Sequence, residues 1–309
     1  MSRFVSDNCL ARLPVFRFGK FGMGFGVRSG IIAGAAFMLV LPLPRSWAAP
    51  QNTKIDDRLR NIKLCNGADR RSPEPQINGC TALINGPHEP ALILAIAHNN
   101  RGNAYSTQRD YDRAIKDYDL AITLNPNYAK PYNNRGVAYQ KKGDYDRAIK
   151  DFDEAIKLSP NYGHAFANRA ETYLKKNDYE RAAQDYNDAI RLEPKSGAAW
   201  NGRCWSRAIL GQLEAALADC TKALRMQPND AATYDSRGLT YLKMGQFDSA
   251  IEDYSSALRF EPKMASALYG RGLAKLKKGD EAGGNADLSA AKVIKATIAE
   301  DFARYGVQL

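Results

Sequence analysis

Within residues 129–162, Tyr132, Gly136 and Tyr139 stand at i, i+4 and i+7, and Ala148, Phe152 and Ala155 repeat that spacing. Each triplet makes one apolar or small stripe on a 3.6-residue period, so the segment predicts two amphipathic helices. Gly143 and Asp144 lie between them, the first suited to the left-handed residue that ends a helix, the second to an N-cap. Asn177-Asp178 and Gly279-Asp280 repeat that solution, and Lys141, Lys142, Lys175 and Lys176 put positive charge at the negative end of the preceding helix. Pro160 stops the second helix, because proline lacks an N–H and collides with the previous turn.

The pattern recurs every 34 residues: Arg101, Arg135, Arg169, Arg203, Arg237 and Arg271 keep one register. Asp117, Asp151, Asp185, Asp219, Asp253 and Asp287 keep another, as do Pro126, Pro160, Pro194, Pro228 and Pro262. Gly102, Gly136, Ala170, Gly238 and Gly272 are small where the two helices of a unit must approach, and Tyr118, Phe152, Tyr186 or Tyr254 fills the facing position. One hairpin cannot bury its stripe alone, so stacked neighbours supply the core of an all-α solenoid.

The units, as in Tyr132…Arg135-Gly136…Tyr139…Ala148…Phe152…Ala155…Pro160, resemble tetratricopeptide repeats over 95–298, two thirds of the chain. The resemblance implies a right-handed α-solenoid of six helical hairpins, 95–128, 129–162, 163–196, 197–230, 231–264 and 265–298. It also implies a concave face, made by the first helices, that takes an extended or helical peptide. The family usually has Leu where this chain carries its six Arg. Each Arg is read as an ion-pair partner of the Asp sixteen residues later, with an anion-binding Arg ladder facing the groove as the alternative. The last unit departs from the pattern at Lys275 and Gly284, marking it as an end unit. Residues 292–309 then offer Ile294, Ile298, Phe302 and Tyr305 on one face, so a terminal helix, the cap of 299–309, is expected to cover the exposed stripe. Residues 49–94 read as a degenerate leading hairpin in which Ile77, Cys80, Leu83 and Ile84 imitate a second helix.

The implied groove includes Asn99, Asn103, Asn133, Val137, Gln140, His164, Ala167, Glu171, Asn201, Trp205, Asp235, Leu239, Tyr269 and Leu273. Asn100, Asn134 and Asn168 precede three of the Arg residues in register. An amide offers donors and an acceptor, so such a ladder suits the backbone of an extended peptide, while solvated surface Asn is the alternative. Trp205, Leu239, Leu242 and Leu273 make the carboxyl half more apolar, with Trp205 as a candidate hot spot.

The formal charge of +10 suggests an anionic partner until it is located. Residues 1–48 carry Arg3, Arg12, Arg17, Lys20, Arg28 and Arg45 against Asp7, so half of that charge belongs to them. They read as a signal peptide: basic residues, the apolar run Ile31 to Leu43, then Ser46-Trp47-Ala48 before a cut, with Met23 as a rival start. The remainder is too weakly basic to argue for nucleic acid, and no later stretch is long enough to span a bilayer. A periplasmic or secreted product follows. Its Cys65, Cys80, Cys204 and Cys220 are even in number, and two local disulfides, Cys65–Cys80 and Cys204–Cys220, are expected. No catalytic constellation, metal-ligand spacing or phosphate loop stands out, and no cofactor is expected. The expected function is a non-catalytic scaffold or adaptor of the cell envelope that binds a protein or peptide. The alternatives are a self-associating component whose groove is filled by its own neighbour and, last, an enzyme with its chemistry in 49–94.

Overall fold

The computed structural model describes residues 53–67 and 72–307; the leader expected over 1–48 lies outside them. All fifteen elements among the described residues are helices. The chain opens with α1 (Thr53–Cys65) and α2 (Glu74–Ile84), and six hairpins follow. They are α3 (Ala91–Thr107) with α4 (Tyr111–Leu124), α5 (Ala129–Lys141) with α6 (Tyr145–Leu158), and α7 (Gly163–Lys175) with α8 (Tyr179–Leu192). Next come α9 (Gly197–Ile209) with α10 (Leu213–Met226), α11 (Ala231–Lys243) with α12 (Phe247–Phe260), and α13 (Ala265–Lys277) with α14 (Glu281–Ile294). A short α15 (Ile298–Arg304) ends the series.

The turns form where the sequence places them. Gly143, Gly211, Gly245 and Gly279 sit at φ of 73–88°, where a residue without Cβ is unstrained, and Arg109 and Asn177 hold the same place at 63° and 58°. Asp110, Asp144, Asp178 and Asp280 then accept the backbone N–H three residues on, capping the second helices. Inside the first, second and fifth hairpins a large ring presses on a glycine. A Cβ on Gly136 would meet Phe152 Cε1 at 2.7 Å, which is why the helices can approach only with glycine there.

Each helix packs on the next along the chain. Successive first helices also touch, α3 on α5, α5 on α7 and so on to α13, whereas among the described residues no second helix touches the following second helix. A stack whose first helices lie closer together than its second helices bends toward the first helices. They therefore form the concave wall.

The first repeat's leading helix starts at Ala91, with Pro90 at its N-cap, ahead of the unit boundary expected at 95. One expectation needs correction: the terminal helix does not run from 292. Helix α14 continues to Ile294, Lys295 is extended at φ −142°, ψ 101°, and α15 starts afresh at Ile298. Helix α15 packs on α13 and α14 of the last repeat, with Ile298 and Phe302 buried.

Candidate functional site

The six Arg residues are not available to the groove. Each donates Nε and Nη2 to the two carboxylate oxygens of the Asp sixteen residues later at 2.6–2.8 Å. Nη1 then reaches the previous unit: Arg135 to Asp119 at 2.6 Å, Arg169 to Asp153 at 2.5 Å, Arg203 to Asn187 at 2.8 Å and Arg271 to Ser255 at 3.3 Å. The ion pair expected sixteen residues on is thus present in all six repeats, in place of the alternative of an Arg ladder facing the groove. Burial and charge compete at the carboxylates. Burial raises the pKa of Asp151, Asp185 and Asp253 despite one strongly bonded Arg each. At Asp117 and Asp287 burial is outweighed, because His98 joins Arg101 and Lys275 joins Arg271, and both carboxyls lie below the ordinary range.

The Asn ladder also turns inward. Asn168 Nδ2 donates to Asn133 Oδ1 at 2.9 Å, Asn133 to Asn134 at 3.2 Å, Asn134 to Asn99 at 3.0 Å, Asn99 to Asn100 at 3.2 Å, and Asn100 to Asn66 at 3.4 Å. Asn134 donates also to Asn103 Oδ1, which takes the Tyr118 hydroxyl as well, at 2.9 and 2.8 Å. Six amides thus form one directional chain through three repeats, and all but Asn66 are buried. Their amides are bonded to one another and buried, so they are not a solvated surface, and a peptide would have to compete with these bonds. The reason is register: the residue before each Arg faces the neighbouring first helix. From the fourth repeat onward the chain stops. A Cβ at Gly202 or Gly270 would sit 2.2 Å from the Cζ of Tyr186 or Tyr254, rings belonging to the previous unit. The glycines at 202 and 270 thus meet rings sixteen residues earlier, across a repeat boundary.

The other expected groove residues divide. Val137 and Leu239 are core, and Gln140 donates to Thr172 at 2.9 Å. His164 and Glu171 are half-buried on α7, with His164 Nε2 3.6 Å from Glu193. Asn201 and Asp235 each bury a side-chain oxygen without a hydrogen-bond partner. The other Asp235 oxygen accepts from Ser266 at 2.8 Å, and burial, only partly opposed by that bond, raises its pKa to about 7. Trp205 and Tyr269 are covered by the chain's own end. The Tyr305 ring meets Trp205 edge-on at 5.1 Å, and Phe302 lies 4.8 Å from Tyr269. Lys243 Nζ donates to the carbonyls of Tyr305 and Ile209 at 2.8 and 3.0 Å. An exposed Trp205 hot spot is therefore corrected to one packed beneath α15.

Cys65 with Cys80 and Cys204 with Cys220 stand at disulfide distance, S–S 2.06 and 1.91 Å. The first pair joins α1 to α2, the second the two helices of the fourth repeat. No helix among the described residues is long and apolar enough to cross a membrane.

Models of the tetratricopeptide repeat match residues 95–128, 129–162, 167–231, 220–252 and 238–279. No curated protein matches the sequence. A tetratricopeptide repeat protein from Parabacteroides merdae superposes with a TM-score of 0.59 at 19% identity, covering 82% of this chain and all of that one. A chain of the APC/C hetero-tetramer Cut9-Hcn1 gives 0.63 at 16%, over 84% of this chain and 50% of that one. PilF of Pseudomonas aeruginosa gives 0.58 at 15%, over 70% and 99%. At such identities the likeness concerns the fold alone. The repeat models recur across the same hairpins that the structure stacks, and on that evidence the chain belongs to the tetratricopeptide repeat family.

Proposed function

We propose that this chain is a non-catalytic scaffold that holds a partner protein or peptide against its concave wall, and that it acts in the periplasm or outside the cell. The observation that carries this reading is the unbroken wall of first helices, each touching the next, from α3 to α13. With the carboxyl half covered by α15, the open stretch is that of α5 and α7, whose outer surface carries Lys130, Lys141, His164, Glu171 and Lys175. Its mixed charges suit a polar peptide better than an apolar one, and charge on a rim controls encounter and specificity more than raw affinity. Export is supported by the two cysteine pairs at disulfide distance, since such pairs persist in oxidising compartments.

The test is crosslinking and capture from envelope extract with the native chain and with Lys141→Glu and Lys175→Glu combined. Both side chains are exposed, so the fold should be unaffected. Partners recovered by the native chain should be lost from the variant. Equal recovery would remove the groove from the account.

A further inference from the structure

The groove's carboxyl half already holds a ligand-like segment. Helix α15 leaves the sixth repeat and runs back across the concave side, so that Phe302 reaches Tyr269 in the sixth repeat and Tyr305 reaches Trp205 in the fourth. Trp205, Leu239 and Leu273 hold the same place in their own units, 34 residues apart, and Lys243 lies one turn beyond Leu239 on α11. Ile298 and Phe302 are buried with them in one apolar cluster, with Tyr305 and Val307 packed against it.

The contents of the segment are those of a detachable module. Its one buried charge, Asp301, pairs with Lys295 and Arg304, both within the same dozen residues. If α15 left, that charge would leave with its counter-ions and would not strand one in the groove. The groove supplies apolar surface, two rings and the Lys243 ammonium, which holds the carbonyl of Tyr305 just past the end of α15. At 7 residues α15 is also far too short to be helical unsupported. It depends on the groove more than the groove depends on it.

We propose that α15 is a displaceable internal occupant, and that the partner taking its place is a short amphipathic helix of another protein with the same spacing: aliphatic, aromatic four residues on, aromatic three further. The proposal deepens the groove-binding reading and rests on it. The tether keeps α15 at high effective concentration, so the apparent affinity of such a partner is set by the fraction of molecules with the groove open.

The probe is a dye-labelled peptide of residues 296–309, added to the full chain and followed by anisotropy. Native chain should bind it weakly. A chain carrying Phe302→Ala and Tyr305→Ala should bind it at least about tenfold tighter, because its internal competitor is gone. The peptide with the same two changes should bind neither. Equal binding by the native and substituted chains, at unchanged helicity, overturns the proposal. Hydrogen exchange on the native chain asks the same question without a variant. The Tyr305 and Val307 amides, bonded to Asp301 and Phe302, should exchange at least about tenfold faster than those of α13, whereas equal rates make α15 a permanent part of the core and end the idea. A concentration-dependent dimer that the two substitutions abolish would assign the site to a second copy and overturn the choice of partner. If the peptide binds as expected while Lys141→Glu with Lys175→Glu leaves partner capture intact, the amino-half reading fails and this one stands.

Discussion

Arg135 grips Asp151 with two parallel hydrogen bonds, Nε to Oδ2 at 2.8 Å and Nη2 to Oδ1 at 2.7 Å, and spends its remaining nitrogen on Asp119 of the preceding repeat. The family's usual Leu at this position would fill the space by packing alone. The guanidinium instead joins three helices, since Asp119, Arg135 and Asp151 lie on α4, α5 and α6.

Removing Asp151 leaves that cation in a half-buried site. Asp151→Ala should lower unfolding free energy by about 2–3 kcal/mol, less than the roughly 3–5 kcal/mol of a fully enclosed pair because a fifth of the Arg135 side chain remains exposed. Arg135→Leu combined with Asp151→Leu should return to within about 1 kcal/mol of the native chain, since apolar replacement of both partners avoids stranding a charge. Urea unfolding of the two variants checks both values. A double variant as unstable as the single one would mean that the ion pair itself, and not its disruption, sets the stability.

Asp235 makes stability depend on pH around neutrality. Its folded pKa is raised from 3.8 to about 7 by burial, partly opposed by the hydrogen bond from Ser266, and the Tyr254 hydroxyl nearby is also buried without a partner among the described residues. A carboxyl with a raised pKa holds a proton in the folded state that the unfolded chain has already lost. Its contribution is therefore greatest below pH 4, declines as pH rises toward about 7, and is level above it. Asp235→Asn should flatten that decline and stabilise the chain at pH 8 by about 2–4 kcal/mol relative to native. Thermal unfolding from pH 4 to 8 measures it, and parallel curves for the two chains would refute the assignment.

The hairpins and the Arg–Asp pairs were legible because both are fixed within one repeat, where a spacing of sixteen residues on antiparallel helices determines what meets. What lies between repeats was harder to read. The periodicity gives Asn100, Asn134 and Asn168 a common face but does not tell a face turned to the neighbouring helix from one turned to solvent. That distinction depends on how tightly first helices approach. The stripe Ile298, Phe302, Tyr305 was visible too, but its destination depends on the extended residue Lys295 and on a curvature that brings the fourth repeat within reach of the terminus. Arg207 stands at the place held by Tyr173 in the preceding unit. It adds a second cation to Asp219 at 2.7 Å, as Lys275 does for Asp287.

The Cys204–Cys220 pair closes a span of 16 residues inside one hairpin. Oxidised, it should add about 3 kcal/mol through loss of freedom in the unfolded chain. Alkylation of the denatured chain freed of residues 1–48, and with them of Cys9, should add nothing without reductant and four adducts by mass with it. Adducts without reductant would place reduced thiols in the core instead.

The amide chain predicts a graded response along its length. Asn134 is its most connected member, donating hydrogen bonds to Asn99 and Asn103 and accepting one from Asn133. Asn134→Ala deprives Asn99 of that donor and Asn133 of that acceptor, although Asn103 keeps the Tyr118 hydroxyl. The cost should be about 2–3 kcal/mol, as expected when buried polar groups lose their partners. Asn168→Ala removes one donor only, that to Asn133, and should cost about half as much. Because the bonds cross repeat boundaries, the loss should also weaken coupling between units, so the first two repeats of the Asn134 variant should exchange their amides before the last two. Equal costs for the two substitutions, or exchange spread evenly along the stack, would show that the amides act as separate contacts and that no continuous chain links the repeats.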